Sequence, residues 1–182
     1  MTYYADLTPY TRRPESVPAG VPALNVGWLS WTRRFPRFPR GGVPGDFTAA
    51  LALLCRDGRR EPTRGFHPCG LPHLVGERRR PVRIEVEGGE VLLGNAEVAT
   101  VAASGAWLIA PTLVHHYVTR HRYRPPEEFV EAVLAGRPLG TARPPEAAAA
   151  GRAGTAGRAA TARASERARD DDGAAVRAGS RR

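Results

Sequence analysis

The apolar positions of the chain fall into stretches with two distinct periods. In "FTAALALLCR", residues 47–56, Phe47, Ala50, Leu51 and Leu54 stand at i, i+3, i+4 and i+7, the stripe of an amphipathic helix. Asp46 is placed to cap its start and Gly58 to end it. Further on, Val82, Ile84 and Val86 alternate with Arg83, Glu85 and Glu87, the period of a half-buried strand; Gly88 and Gly89 supply a hairpin turn, and "EVLLG" runs back. "AEVATV" and "AWLIA" read as a second pair around "AASG". An earlier strand lies in "ALNVGWLSW", residues 23–31, before a loop rich in Pro and Gly. Pro111 is placed as the first residue of a helix, "PTLVHHYVTRHRY", that turns Leu113, Val114, Tyr117 and Val118 to the core. Pro125 and Pro126 stop it, and Pro126 opens a last helix, "PEEFVEAVLAG", with Glu127 and Glu128 in the positive first turn and Gly136 at its C-terminal end. The proline-punctuated N-terminus would lay Tyr3, Tyr4, Leu7 and Tyr10 across the domain surface. These elements predict an α+β fold: a small, mainly antiparallel sheet of three or four strands with two or three helices.

The pattern stops near residue 140. From there "TARPPEAAAAGRAGTAGRAATARASERARDDDGAAVRAGSRR" contains no aromatic residue, no Leu and no Ile, and too little apolar surface to offset the entropy of ordering it. The expected division is a single α+β domain over residues 1–139 and a disordered Ala/Gly/Arg-rich tail over residues 140–182. No run of about 18 apolar residues is present, and "MTYYADLTPYTRRPE" lacks the apolar stretch of a signal peptide. With only Cys55 and Cys69, no disulfide framework is possible, and a reducing, cytoplasmic setting is expected. Cys55, beside the apolar stripe of its helix, reads as a buried structural thiol.

Charge changes the picture little. The net charge is +9 and the pI about 10.8. All 27 basic residues are arginine, in a sequence rich in Ala, Gly and Pro, as a high-G+C coding sequence gives. The excess is spread over both parts, with 18 Arg against 13 acids up to residue 140 and 9 against 5 beyond it. The densest feature is the loop in which Trp31, Phe35 and Phe38 interleave with Arg33, Arg34, Arg37 and Arg40, a composition suited to stacking bases along a phosphate track.

The histidines are the least random feature. His67 and His73 flank Cys69 in "GFHPCGLPH", and His115, His116 and His121 share one predicted helix. Zinc takes Cys thiolate and His nitrogen in a tetrahedron, often two ligands from a tight loop and two from a helix. His116 and His121 have four residues between them, within the spacing of paired zinc histidines, but five helical residues turn about 140° from alignment, so both reach one ion only where the last turn loosens. A regular knuckle would repeat cysteine three positions after Cys69, where Pro72 stands instead. His73 is the first substitute and His67 the alternative, so the candidate ligands are Cys69, His73, His116 and His121, with zinc as the cofactor.

The segments "ALNVGWL", "RGFHPC", "LGNAEV" and "IAPTLVHHYVTRHRYRPPEEFVEAVL" resemble a small uncharacterised family from high-G+C bacteria, a domain of unknown function, over roughly residues 1–135. Its loop reads G-F-H-x-C-x-x-C and its helix ends H-Y-x-x-x-H-x-Y-x-P-P. The resemblance implies a metal site of two cysteines and two histidines. It carries over to Cys69, His116 and His121 and fails at Pro72.

No nucleotide loop, nucleophile elbow or carboxylate-pair motif accompanies these residues. The leading expectation is a non-enzymatic small domain with a zinc-knuckle-like site that binds a protein partner. A nucleic-acid-binding protein using the Arg/aromatic loop and basic tail is the alternative, and a metal-dependent hydrolase or nuclease using the His115-His116 pair is the third. A membrane partner is not expected, and no small-molecule substrate is identifiable.

Overall fold

The computed structural model describes residues 2–30, 38–73, 81–137 and 139. The expected tail, the domain boundary at 139/140 and most of the Arg/aromatic loop therefore lie outside the described residues.

The fold is α+β. Strand β1 (Ala23–Asn25) is followed by helix α1 (Phe47–Asp57), the hairpin β2 (Arg83–Val86) and β3 (Gly89–Leu92), then β4 (Glu97–Val101), β5 (Trp107–Pro111), α2 (Val114–His121) and α3 (Glu127–Leu134). A short 3₁₀ turn at Pro14–Ser16 precedes β1. The strands form two sheets. One is three-stranded in the order β1-β5-β4, with β4 antiparallel to β5 and β1 parallel to it; the other is the antiparallel β2-β3 hairpin.

β5 lies at the centre, and every residue of β4 and β5 is buried. The period of two divides these residues between two cores. Val98, Leu108 and Ala110 face the helices, among Phe47, Leu51, Tyr117 and Phe129. Ala99, Val101, Trp107 and Ile109 face the other way, against Tyr10 and Trp28. Burial on both faces explains why "AWLIA" is a continuous apolar run. The N-terminal segment closes the second face as expected. Tyr4 meets the Trp28 ring edge-on at 5.8 Å, and the Tyr10 and Leu7 N–H groups donate to the carbonyls of Ala23 and Asn25, covering the free edge of β1. An uncovered edge would invite pairing with another chain.

Several expected boundaries are corrected. The first strand keeps only three residues, because Gly27 turns the chain at φ +66°, where a Cβ would press on Val114 and Tyr123. Asp6 Oδ1 fastens this turn by accepting from both the Gly27 N–H and the Tyr123 hydroxyl, each at 2.8 Å. The hairpin turn is Glu87-Gly88, both at positive φ, and Gly89 already pairs with Val86. Asp46 makes no side-chain cap bond. Pro111 does not start a helix; it ends β5, opposite Glu97, where a residue lacking an N–H is tolerated, and α2 begins at Val114. Gly136, at φ +57°, closes α3 as expected, donating to the Val133 carbonyl.

Candidate metal centre

The loop before residue 74 is pinned to the β3–β4 connection. Thr63 N–H donates to the Asn95 carbonyl at 2.7 Å, and His67 N–H donates to the Gly94 carbonyl at 2.8 Å. Gly94 N–H in turn donates to Thr112 Oγ1 at 2.9 Å, just ahead of α2. Cys69 and Leu71 then anchor the loop in the core at 7% and 2% exposure. Two short chain segments are thereby fixed against the face of α2.

Helix α2 buries Val114, His116, Tyr117 and Val118. Its end departs from regular α geometry. Arg122, left-handed at φ 55°, donates its N–H to the Tyr117 carbonyl five residues back, and the Tyr123 N–H reaches the same carbonyl at 3.0 Å. Long bonds from a left-handed residue past the last turn form a C-terminal cap. The His116 and His121 rings lie within 5.2 Å of each other, centroid to centroid.

Cys69, His73, His116 and His121 meet there, each offering one ligand atom, with all four atoms within 4.8 Å of one another. Cys69 Sγ lies 3.4 Å from His121 Nε2, and His73 Nε2 lies 3.5 Å from His116 Nε2. A tetrahedron with Zn–N near 2.05 Å and Zn–S near 2.3 Å has edges of about 3.3 to 3.7 Å. Both of these pairs already have that length. Tyr117, fully buried, stands behind the cluster with its ring 6.2 Å from both His116 and His121 and its hydroxyl donating to the Leu29 carbonyl. Burial pushes the Cys69 thiol up to about 11, partly opposed by the Leu71 backbone N–H, so without a cation beside it this group keeps its proton at neutral pH. The four residues lie close enough to hold a metal ion.

His67 is not among them. It lies exposed beside a separate small cleft, of about 10 Å³, that it lines with Arg12, Glu61 and Glu97. Glu97, in that cleft, accepts from the Tyr10 hydroxyl at 2.7 Å and pairs with Arg12 at 3.4 Å; burial raises its carboxyl above the usual range. His115 turns toward the Thr48 backbone of α1, and burial lowers its imidazole. Cys55 is fully buried, its thiol directed at the Thr112 carbonyl at 3.5 Å. Of the residues that position the site, sequence reasoning missed Gly94 and Thr112, while it placed Tyr117 in the core without linking it to the cluster. The turn signal of "LGNAEV" marks Gly94, but nothing local says that it faces His67.

No curated protein and no solved structure matches the chain. The family described as a domain of unknown function (DUF7919) matches residues 2–134, which includes every described element and all four clustered residues. The chain belongs to that family.

Proposed function

We propose that this domain is a non-enzymatic binding module in which one zinc ion, held by Cys69, His73, His116 and His121, staples the 65–73 loop to the end of α2. The observation that carries the reading is the convergence of one thiol and three imidazoles, from segments more than forty residues apart, to within 4.8 Å. This donor set suits a borderline-soft ion better than a hard one. It also fills all four tetrahedral positions with protein atoms, the arrangement of a structural site; a catalytic one keeps a position open. The ion would supply cross-linking, and among the described residues no carboxylate joins the group to act as a base. His73 takes the place at which the knuckle pattern would have a cysteine one residue earlier.

A shallow groove between α1 and α3, floored by Leu53 and Leu54 on one side and Val133 and Leu134 on the other, supports a protein as the partner. Its apolar lining would be covered by apolar side chains of that protein.

Elemental analysis of the purified full chain tests the metal reading. About one zinc per chain is expected, with His73→Ala losing most of it and His67→Ala keeping it. A metal-free wild type from zinc-supplemented cells sinks the proposal, and the opposite behaviour of the two variants would exchange the ligand roles. The pH dependence is a separate check. Because the Cys69 thiol sits near 11 without a cation, ligation releases its proton, so affinity should rise about tenfold per pH unit between roughly pH 7 and 9. Affinity independent of pH over that range would be incompatible with thiolate ligation.

A further inference from the structure

Thr112 stands on the short connection from β5 to α2 and is fully buried. Its main chain is held on both sides: the N–H donates to the Ala96 carbonyl at 3.0 Å, and the carbonyl accepts from the Cys55 thiol at 3.5 Å. The hydroxyl reaches a third segment, accepting from the Gly94 N–H at 2.9 Å. The Gly94 carbonyl in turn accepts from the His67 N–H at 2.8 Å, and Cys69 follows two residues later. In the other direction, His116 lies four residues past Thr112 along the chain. One residue therefore leads to the helix donors through its backbone and to the loop donors through its hydroxyl.

That path has little slack. A β-branched side chain is stiff at χ1, so the place of Oγ1 follows from the backbone of the connection. Gly94 is buried, and a buried N–H left without a partner is costly, so its bond to Thr112 is kept. Gly94 also lies at φ +97°, with the torsional freedom that glycine brings, and the bonds at its N–H and carbonyl are what hold it. Groups that orient metal ligands through hydrogen bonds, without touching the ion, tune its affinity.

We infer that Thr112 is a positioning residue for the metal cluster, its hydroxyl setting the separation of Cys69 and His73 from His116 and His121 and thereby the affinity for the ion. The inference rests on the staple reading and adds to it a determinant that none of the four ligands supplies. The Thr63 N–H, which donates to the Asn95 carbonyl, holds the start of the loop independently, so loss of the hydroxyl weakens the site without abolishing it.

The test compares Thr112→Val, which keeps the shape and removes the oxygen, with Thr112→Ser, which keeps the oxygen. Cys55→Ala, a core change against the same residue, is the control for general destabilisation. Cobalt(II) is titrated into the metal-free full chain and followed by the visible absorption of tetrahedral cobalt. Thr112→Val is expected to bind about ten- to a hundredfold more weakly than wild type, and the other two variants within about threefold of it. Amide hydrogen exchange of the metal-free proteins is the second readout: Gly94 and His67 should exchange faster in Thr112→Val than in Thr112→Ser, while β4 and β5 stay protected and show that both are folded. Wild-type cobalt affinity in Thr112→Val would overturn this inference and leave the staple standing. Equal losses in all three variants, or in Val and Ser alike, would overturn it as well. A wild type that binds neither cobalt nor zinc overturns the staple and this inference together.

Discussion

Chelation is expected to lower the melting temperature of the purified protein by roughly 10 to 20 °C. An ion present at about a thousand times its dissociation constant contributes about 4 kcal/mol to the folded state, and each kcal/mol moves the transition of a domain this size by a few degrees. The arrangement of the four donors is the reason to expect a weaker ion-free state. Without a cation, three imidazoles and a thiol converge on one point in a half-buried site, where Cys69 lies 3.4 Å from His121 and His73 lies 3.5 Å from His116. With the ion removed the cross-link between the two segments is lost, so the loop should separate from α2. The rest of the domain keeps its core around Phe47, Leu108, Tyr117 and Phe129 and should melt cooperatively at the lower temperature. Cys69→Ser should melt near the chelated wild type and respond no further to chelator. Cys55→Ala, which opens a small cavity at a core position, should lower the transition yet keep the full chelator response. A wild type whose melting is indifferent to chelator would refute the staple.

Gly94→Ala is expected to destabilise the domain by about 2 to 4 kcal/mol and to reduce its bound metal at the same time. Gly94 holds φ +97°, and a Cβ there would lie 2.3 Å from the His67 carbonyl oxygen. That obstacle is backbone, so no side-chain rotation relieves it. Either Gly94 changes conformation, breaking its donation to Thr112 Oγ1, or the 65–73 segment retreats and takes Cys69 and His73 with it. Both routes loosen the same site from a residue that touches no metal. Denaturant unfolding combined with zinc analysis reads the two effects together. Lost stability with full metal occupancy would mean that Gly94 supports the fold alone. As a comparison, Gly20→Ala meets a positive φ but open space, and should cost less and leave the metal unchanged.

The elements with strong periodicity were legible without a structure. α1 was read within a residue of its observed Phe47–Asp57 limits, because its apolar stripe repeats at 3.6 and Gly58 follows it. The β2–β3 hairpin was visible in strict alternation, although its turn was placed one residue late, since Glu87 is an unusual residue for positive φ. Pro111 was misread because a proline before an amphipathic run suits a helix start and a strand end equally, and only the pairing with Glu97 decides between them. The parallel partnership of β1 with β5 joins residues more than eighty positions apart, and no local pattern encodes it.

The sequence by itself determined which residue types were available for a site: two cysteines, five histidines in two short windows, and Pro72 where a second loop cysteine would stand. It also set the condition under which His116 and His121 can converge, because helical geometry fixes the angle between them. The tertiary structure decided the rest. That His73 and not His67 joins the cluster follows the Gly94 carbonyl holding His67 by its backbone at another cleft, a contact across twenty-seven residues. The approach of Cys69 to His121 and of His73 to His116 likewise joins distant segments. Periodicity reports only which face of an element is buried; what that face meets is set by packing, and the candidate site is made entirely of such meetings.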